Sequence, residues 1–376
     1  MHLMKSFCTH LFPLLRLSLG TSSDAGGLSA ISKADWESLV NLSFEQGVAA
    51  IAVDGLQKYC EQHPEVELAL YSPELEALKY EWFGSVFTVE QGYSNISSVV
   101  RQLSKGLNDS GVKALIVKGL SYASYYPIPE HRTFGDIDIF SPDSYDSVNE
   151  VLRPISEGFN LDYYRHSHCS VSGVKIENHK HLCDVRGQKR WQLLEPEFAR
   201  YAEETLAVEK EGGLYFPDSR LSILFFLYHA QNHFVFESIS LRFLTDWAMI
   251  LQKEKELLSS AWFSESIERF GLTKFAAVLT SLCVEHLGVE KEQLPDCLQR
   301  LVDKVDKAIA DKVLEDIFRK DGVGSINTTF ASRMKLALSI FRKGWKYREF
   351  LGVGPFAFVL EKWCGIVNEK VLKLGI

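Results

Sequence analysis

No uncharged run of about 18 apolar residues occurs in this chain, which excludes an obvious membrane-spanning helix. Cys-x-x-Cys pairs are absent too. The seven cysteines, Cys8, Cys60, Cys169, Cys183, Cys283, Cys297 and Cys364, are scattered and odd in number. That usage argues against a disulfide framework and predicts reduced thiols in a cytoplasmic setting. Excess positive charge is lacking as well: 41 Lys and Arg stand against 49 Asp and Glu, a net charge of −8. Such a balance disfavours a nucleic-acid coat, and there is no dedicated DNA-binding motif and no aromatic-basic RNA motif. Internal repeats and low-complexity segments are missing. Met1 to Gly20 has the Lys5 and apolar run of a signal peptide, but Arg16 interrupts it and no Ala-x-Ala site follows, so the reading is an amphipathic first helix.

What is present is the composition of a soluble globular protein, 46% hydrophobic and 24% charged, in 376 residues. That length exceeds one common core and predicts two or three domains. Periodicity divides the chain into an N-terminal helical region over 1–106, an α+β domain over 107–216 and a C-terminal helical region over 217–376. The helical parts are read at Ser32 to Gln46, Ala49 to Tyr59, Pro73 to Leu107 and, from Asp218 onward, in a series that includes Arg220 to Val235, Leu241 to Gln252, Pro295 to Lys320 and Thr328 to Leu351. Short strands are expected at Val112 to Val117 and Asp136 to Phe140, and from Val174 toward Leu182. A hairpin is expected between Leu161–His166 and Cys169–Val174. The stretch from Phe330 onward carries nine Lys or Arg against three Glu. Its interleaved aromatics predict that it meets the acidic body of the same chain.

The chemistry-bearing stretch is Val117 to Phe140. In Asp136-Ile137-Asp138-Ile139 the two-residue period of a strand puts both carboxylates on one face and both isoleucines on the other. Adjacent carboxylates repel unless a cation lies between them, the pattern of a Mg²⁺ site for phosphoryl or nucleotidyl transfer. Upstream, Lys118-Gly119-x-Ser121 reads as a tight turn whose backbone and hydroxyl can approach a phosphate. Lys118 and Arg132 are cations suited to a triphosphate. In Glu177-Asn178-His179 the same period sets Glu177 and His179 on one polar face, making Glu177 the preferred third carboxylate over Asp184. His166-x-His168-Cys169 with His179-x-His181-x-Cys183 offers zinc-ligand types at a non-standard spacing. His229 and His233 share a helical face and read as core or hydrogen-bonding histidines. Arg242 and Asp246 read as an ion pair along one helix, with Arg242 able to reach substrate if that helix lines the cleft.

Lys118-Gly119-x-Ser121, Tyr126-Pro127, Arg132, Gly135-Asp136-Ile137-Asp138-Ile139 and Glu177-Asn178-His179 together resemble the polymerase-beta-type nucleotidyltransferase superfamily. The stretch is most similar to a family of bacterial proteins known only as uncharacterised nucleotidyltransferases. His229 or His233, Leu241-Arg242 and Asp246 resemble that family's later helical pattern. The resemblance covers roughly Leu11 to Gln252. It implies a small mixed sheet with helices as the α+β core, flanked by helical regions. It implies an NTP, provisionally ATP, as substrate, one or two Mg²⁺ ions, and transfer of NMP to a hydroxyl on a small molecule, protein or RNA. Asp136, Asp138 and Glu177 would be the catalytic and metal residues; Lys118, Gly119, Ser121, Arg132 and Gly135 would hold the nucleotide, with His179 and Arg242 as secondary candidates. The superfamily's usual Gly-Ser turn is here Gly119-Leu120-Ser121, with the serine one residue later. Two other readings compete: a catalytically silent or antitoxin-like binding module of the same fold, and a small-molecule phosphotransferase.

Overall fold

The computed structural model describes residues 2–23, 32–66, 72–161, 164–185, 188–208, 212–319, 343–358 and 360. Four helices come first: α1 (His2–Leu19), α2 (Lys33–Glu45), α3 (Ala49–Gln62) and α4 (Glu76–Asp109). Ser32 caps α2 by accepting from the Asp35 amide, and Trp36, Leu39 and Leu42 fill the buried stripe the spacing predicts. The first helix is not a free amphipath. Leu11, Phe12, Leu14 and Leu15 are buried, and Gly55 lets α3 press against it. A Cβ at Gly55 would stand 1.9 Å from the Leu14 carbonyl oxygen.

After Gly111 the period changes and a six-stranded mixed sheet begins. Its strands are β1 (Ala114–Ile116), β2 (Asp136–Phe140), β3 (Glu157–Asn160), β4 (His166–Val171), β5 (Val174–His179) and β6 (Leu214–Tyr215). They lie in the order β3-β4-β5-β2-β1-β6. β2 is central, antiparallel to β1 and parallel to β5. A single helical turn, α5 (Leu120–Ala123), follows β1, and α6 (Tyr145–Leu152) crosses over after β2.

The hairpin lies elsewhere than the expected Leu161–His166 and Cys169–Val174 pair. β4 and β5 are joined through Ser172 and Gly173, both at positive φ (50° and 77°). A two-residue turn of that hand matches strand twist. The Ser-Gly step is therefore the turn, and Cys169 lies inside a strand.

The helix α7 (Lys189–Leu206), not marked out by periodicity, then packs across the sheet. Pro196 interrupts its pattern, while Trp191, Leu194 and Phe198 are fully buried. The C-terminal series is α8 (Ser219–Phe236), α9 (Leu241–Lys253), α10 (Lys255–Leu258), α11 (Ala261–Arg269), α12 (Thr273–His286), α13 (Asp296–Val302) and α14 (Lys307–Phe318). The single helix expected over Pro295 to Lys320 is thus two, broken at 303–306. The helix expected from Thr328 falls largely outside the described residues, which resume with α15 (Gly344–Lys346) and a π-helical turn at Tyr347–Leu351. The described part of the basic segment turns inward. Lys343 Nζ donates to the Phe236 and Glu237 carbonyls, and the fully buried Lys346 donates to the Phe234 carbonyl and pairs with Asp316. Both lysines thereby cap the negative end of α8.

The sheet separates two apolar cores. On one side Ile96, Val99 and Leu103 of α4 and Val148 and Leu152 of α6 pack on Ile116, Ile137, Ile139, Val171 and Ile176. On the other, Leu115, Val117 and Phe140 join the large core of the N- and C-terminal helices, where Phe226 stacks on Trp247 at 5.6 Å. The architecture is mixed α+β and mostly helical. Among the described residues, no helix is long and apolar enough to cross a membrane.

Candidate active site

β2 does what its two-residue period requires: Ile137 and Ile139 enter the α4–α6 core, and Asp136 and Asp138 point to the opposite face. Parallel pairing with β5 sets Asp138 directly opposite Glu177. Carboxylate oxygens of Asp136, Asp138 and Glu177 all lie within 4.8 Å of one another. Asp138 is fully buried, and its Oδ2 has no hydrogen-bond partner. An oxygen-only donor set with one orphaned buried oxygen fits a hard divalent cation such as Mg²⁺.

Lys118 sits at this cluster, not apart from it on the turn. Its Nζ lies 3.0 Å from Asp138 Oδ1 and 3.6 Å from Asp136 Oδ2. Burial alone would depress the ammonium's pKa, but the charges of Asp138 and Asp136 outweigh it and raise it. Burial likewise would raise the Asp138 carboxyl; the Lys118 charge and the hydrogen bond from His179 reverse that and bring it to about 2. His179 Nε2 donates to Asp138 Oδ1 at 2.8 Å and stands 3.6 Å from Glu177 Oε2.

Gly119 makes the turn after β1. Its φ of +65° is the left-handed region, and a Cβ there would meet the Asp136 carbonyl oxygen at 3.5 Å. Ser121, in α5, is buried with its Oγ lacking a hydrogen-bond partner. Such a hydroxyl fits a role as donor to an incoming oxygen. Gly135, beside Asp136, is exposed with open space around its Cα.

Arg132 is held away from the role expected for it. Its Nε and Nη2 each donate to Asp246 at 2.7 Å, a buried bidentate pair joining the loop before β2 to α9. Tyr126 donates to the same carboxylate at 2.7 Å. Asp246 is thus taken by Arg132, which corrects the expected helix pair with Arg242. Arg242 Nη1 instead donates to the Thr133 carbonyl at 2.9 Å. Burial, then the Arg132 charge, lowers the Arg242 pKa, while the Asp136 charge pulls the other way, so this guanidinium feels the acidic cluster.

His229 of α8 also belongs to this neighbourhood. Burial and the charge of Lys118 hold its pKa well below the ordinary histidine value. The family resemblance pointed to His229 or His233 without placing either; the nearness to Lys118 comes from the core that α8 shares with Leu115 and Val117. The zinc constellation does not assemble as spaced. Cys169 lies in the core on the other face of β4, His168 is exposed, His181 pairs with Glu195 at 3.4 Å, and Cys183 is buried beside that glutamate. Only His166 and His179 come together, directly opposite each other on β4 and β5. Asp184, the competitor for third carboxylate, is taken by the Tyr164 hydroxyl and is absent from the carboxylate cluster.

A mixed sheet thus presents three converging carboxylates that could hold a metal ion, beside a glycine turn and a lysine. The family model described as "Uncharacterised nucleotidyltransferase" matches residues 32–288, and the chain belongs to that family. No curated protein matches the chain, and no solved structure does.

Proposed function

We propose that the protein is a Mg²⁺-dependent nucleotidyltransferase with a polymerase-beta-like core, moving NMP from an NTP, with ATP as the first candidate, to an acceptor hydroxyl. The observation that carries this is the Asp138–Glu177 register, which brings three carboxylates together, one of them with a buried oxygen, Asp138 Oδ2, that has no hydrogen-bond partner. Asp136, Asp138 and Glu177 would hold one or two Mg²⁺, which when bound would neutralise charge on the triphosphate. His179 orients Asp138 through the 2.8 Å hydrogen bond. Lys118 offers its ammonium to the phosphates once the carboxylates have another counter-charge. The Gly119 turn gives the backbone close approach, and Ser121 Oγ donates to a phosphate oxygen. Glu177 takes the acceptor hydroxyl's proton on a carboxylate oxygen. Arg132, locked to Asp246, fixes the loop that leads into Asp136; Gly135 leaves room beside it, and Arg242 tunes the field at Asp136. The division at 107 and 216 belongs to the same reading, with the central segment as the catalytic unit and the helical segments as its walls.

One observation favours the silent binding-module reading. Lys118 already supplies a counter-ion to both aspartates, so the set can persist without metal. Titration calorimetry with ATP and other NTPs, with and without Mg²⁺, separates the two. Metal-dependent binding that is lost in the Asp136→Ala, Asp138→Ala double variant supports the enzyme. Binding indifferent to both metal and variant overturns it. Turnover with α- and γ-labelled ATP then tells nucleotidyl from phosphoryl transfer.

A further inference from the structure

Beside the three-carboxylate set lies a second group of different chemistry. His166 of β4 and His179 of β5 face each other across the ladder, ring centroids 5.1 Å apart, with Glu177 between them in the same layer. Glu177 Oε2 is 3.6 Å from His179 Nε2 and 3.9 Å from His166 Nδ1. One donor atom from each of the three lies within 4.8 Å of the others. A tetrahedral ion with bonds near 2.1 Å holds its donors about 3.4 Å apart, so small side-chain adjustments close this set. The side chains of Glu177 and His166 remain partly open to solvent, which leaves an entry path.

We propose that His166, Glu177 and His179 form a binding site for a first-row transition cation such as Zn²⁺ or Co²⁺, sharing Glu177 with the carboxylate set. Two imidazoles and one carboxylate suit borderline-soft ions, whereas Mg²⁺ favours oxygen donors and keeps its waters. The two groups therefore sort ions by ligand type, not by size. When His179 Nε2 takes the ion, the Nε2 proton moves to Nδ1 of the same ring, the hydrogen bond to Asp138 Oδ1 is given up, and Glu177 serves two neighbours at once. The site stands on side-chain geometry and does not depend on nucleotidyl transfer.

Titrating the full chain with Co²⁺ and following its visible absorption tests this. One equivalent should bind with a d–d spectrum of nitrogen and oxygen ligation and no thiolate-to-cobalt charge-transfer band. His166→Ala should weaken that binding at least tenfold, and His166→Gln should do the same if the alanine variant folds poorly. Asp136→Asn and His233→Ala should leave it within about threefold, the latter a control for a different close histidine pair, His229 and His233, with centroids 4.3 Å apart. A thiolate band, an affinity unchanged in both His166 variants, or a loss that follows Asp136 or His233 instead would overturn the site. Mg²⁺-dependent nucleotide binding measured on His166→Ala reports separately on the proposed transferase.

Discussion

The two faces of β2 carry opposite burdens. One presents Ile137 and Ile139 to a dry core of α4 and α6; the other presents Asp136 and Asp138 to Lys118, Glu177 and His179. Both faces are substantially covered, and Asp138 is as inaccessible as Ile139. Burying an isoleucine stabilises the fold by roughly 1.5–3 kcal/mol. Burying a carboxylate costs several kcal/mol that an ion pair only partly returns. A strand that accepted this cost for stability alone would be better served by a third isoleucine. The difference gives one face a plain role in stability and leaves the other as the candidate for ligand chemistry under the proposed function.

Three substitutions test that division, taken from the largest expected effect downward. Lys118→Met removes the counter-ion and leaves Asp138 buried with its charge poorly matched, which should cost about 3–5 kcal/mol in metal-free urea unfolding. If the face is a cation site, Mg²⁺ at a hundred times its Kd should return about 2.7 kcal/mol of that. No recovery would mean that the lysine pair is structural only. Asp136→Asn, at the half-exposed end of the cluster, should lower Mg²⁺-dependent turnover on the order of 10²–10³-fold while moving the unfolding midpoint little. Ile139→Val on the opposite face should do the reverse, losing about 0.5–1.5 kcal/mol of stability with nucleotide affinity unchanged. A variant that moved both quantities together would dissolve the distinction between the faces.

The smallest effect is a pH dependence away from the cluster. His131 donates from Nδ1 to Asp54 and from Nε2 to Glu90, and the Asp54 hydrogen bond, against burial, raises its pKa. A raised folded-state pKa contributes stability that is fully present below the unfolded value near 6.5 and is lost as pH rises through the folded value. Wild-type stability should therefore decline from about pH 6.5 upward by an increment that His131→Gln lacks. Paired urea titrations at pH 6 and pH 9 would show it; equal slopes for the two proteins would remove His131 from the account.

Much of this was legible before folding was considered. The alternation in Asp136-Ile137-Asp138-Ile139 and in Glu177-Asn178-His179 assigns each side chain to a face, because backbone geometry alone sets a strand's period. Ser32 and Asp218 mark helix starts through caps that act within three residues. Less legible were α7, whose apolar stripe is interrupted by Pro196, and the β4–β5 turn, where Ser172-Gly173 was the stronger signal.

By itself, then, the sequence determined which residues carry charge, which face of each strand they share, and where helices begin. Only the tertiary structure decided what those residues meet. Parallel pairing of β2 with β5, across some forty residues, put Glu177 opposite Asp138. Packing of α9 against the loop before β2 gave Arg132 to Asp246 and left Lys118 to the carboxylates. Register and packing are collective properties of distant segments, and a charged side chain takes whichever partner the assembled core brings nearest.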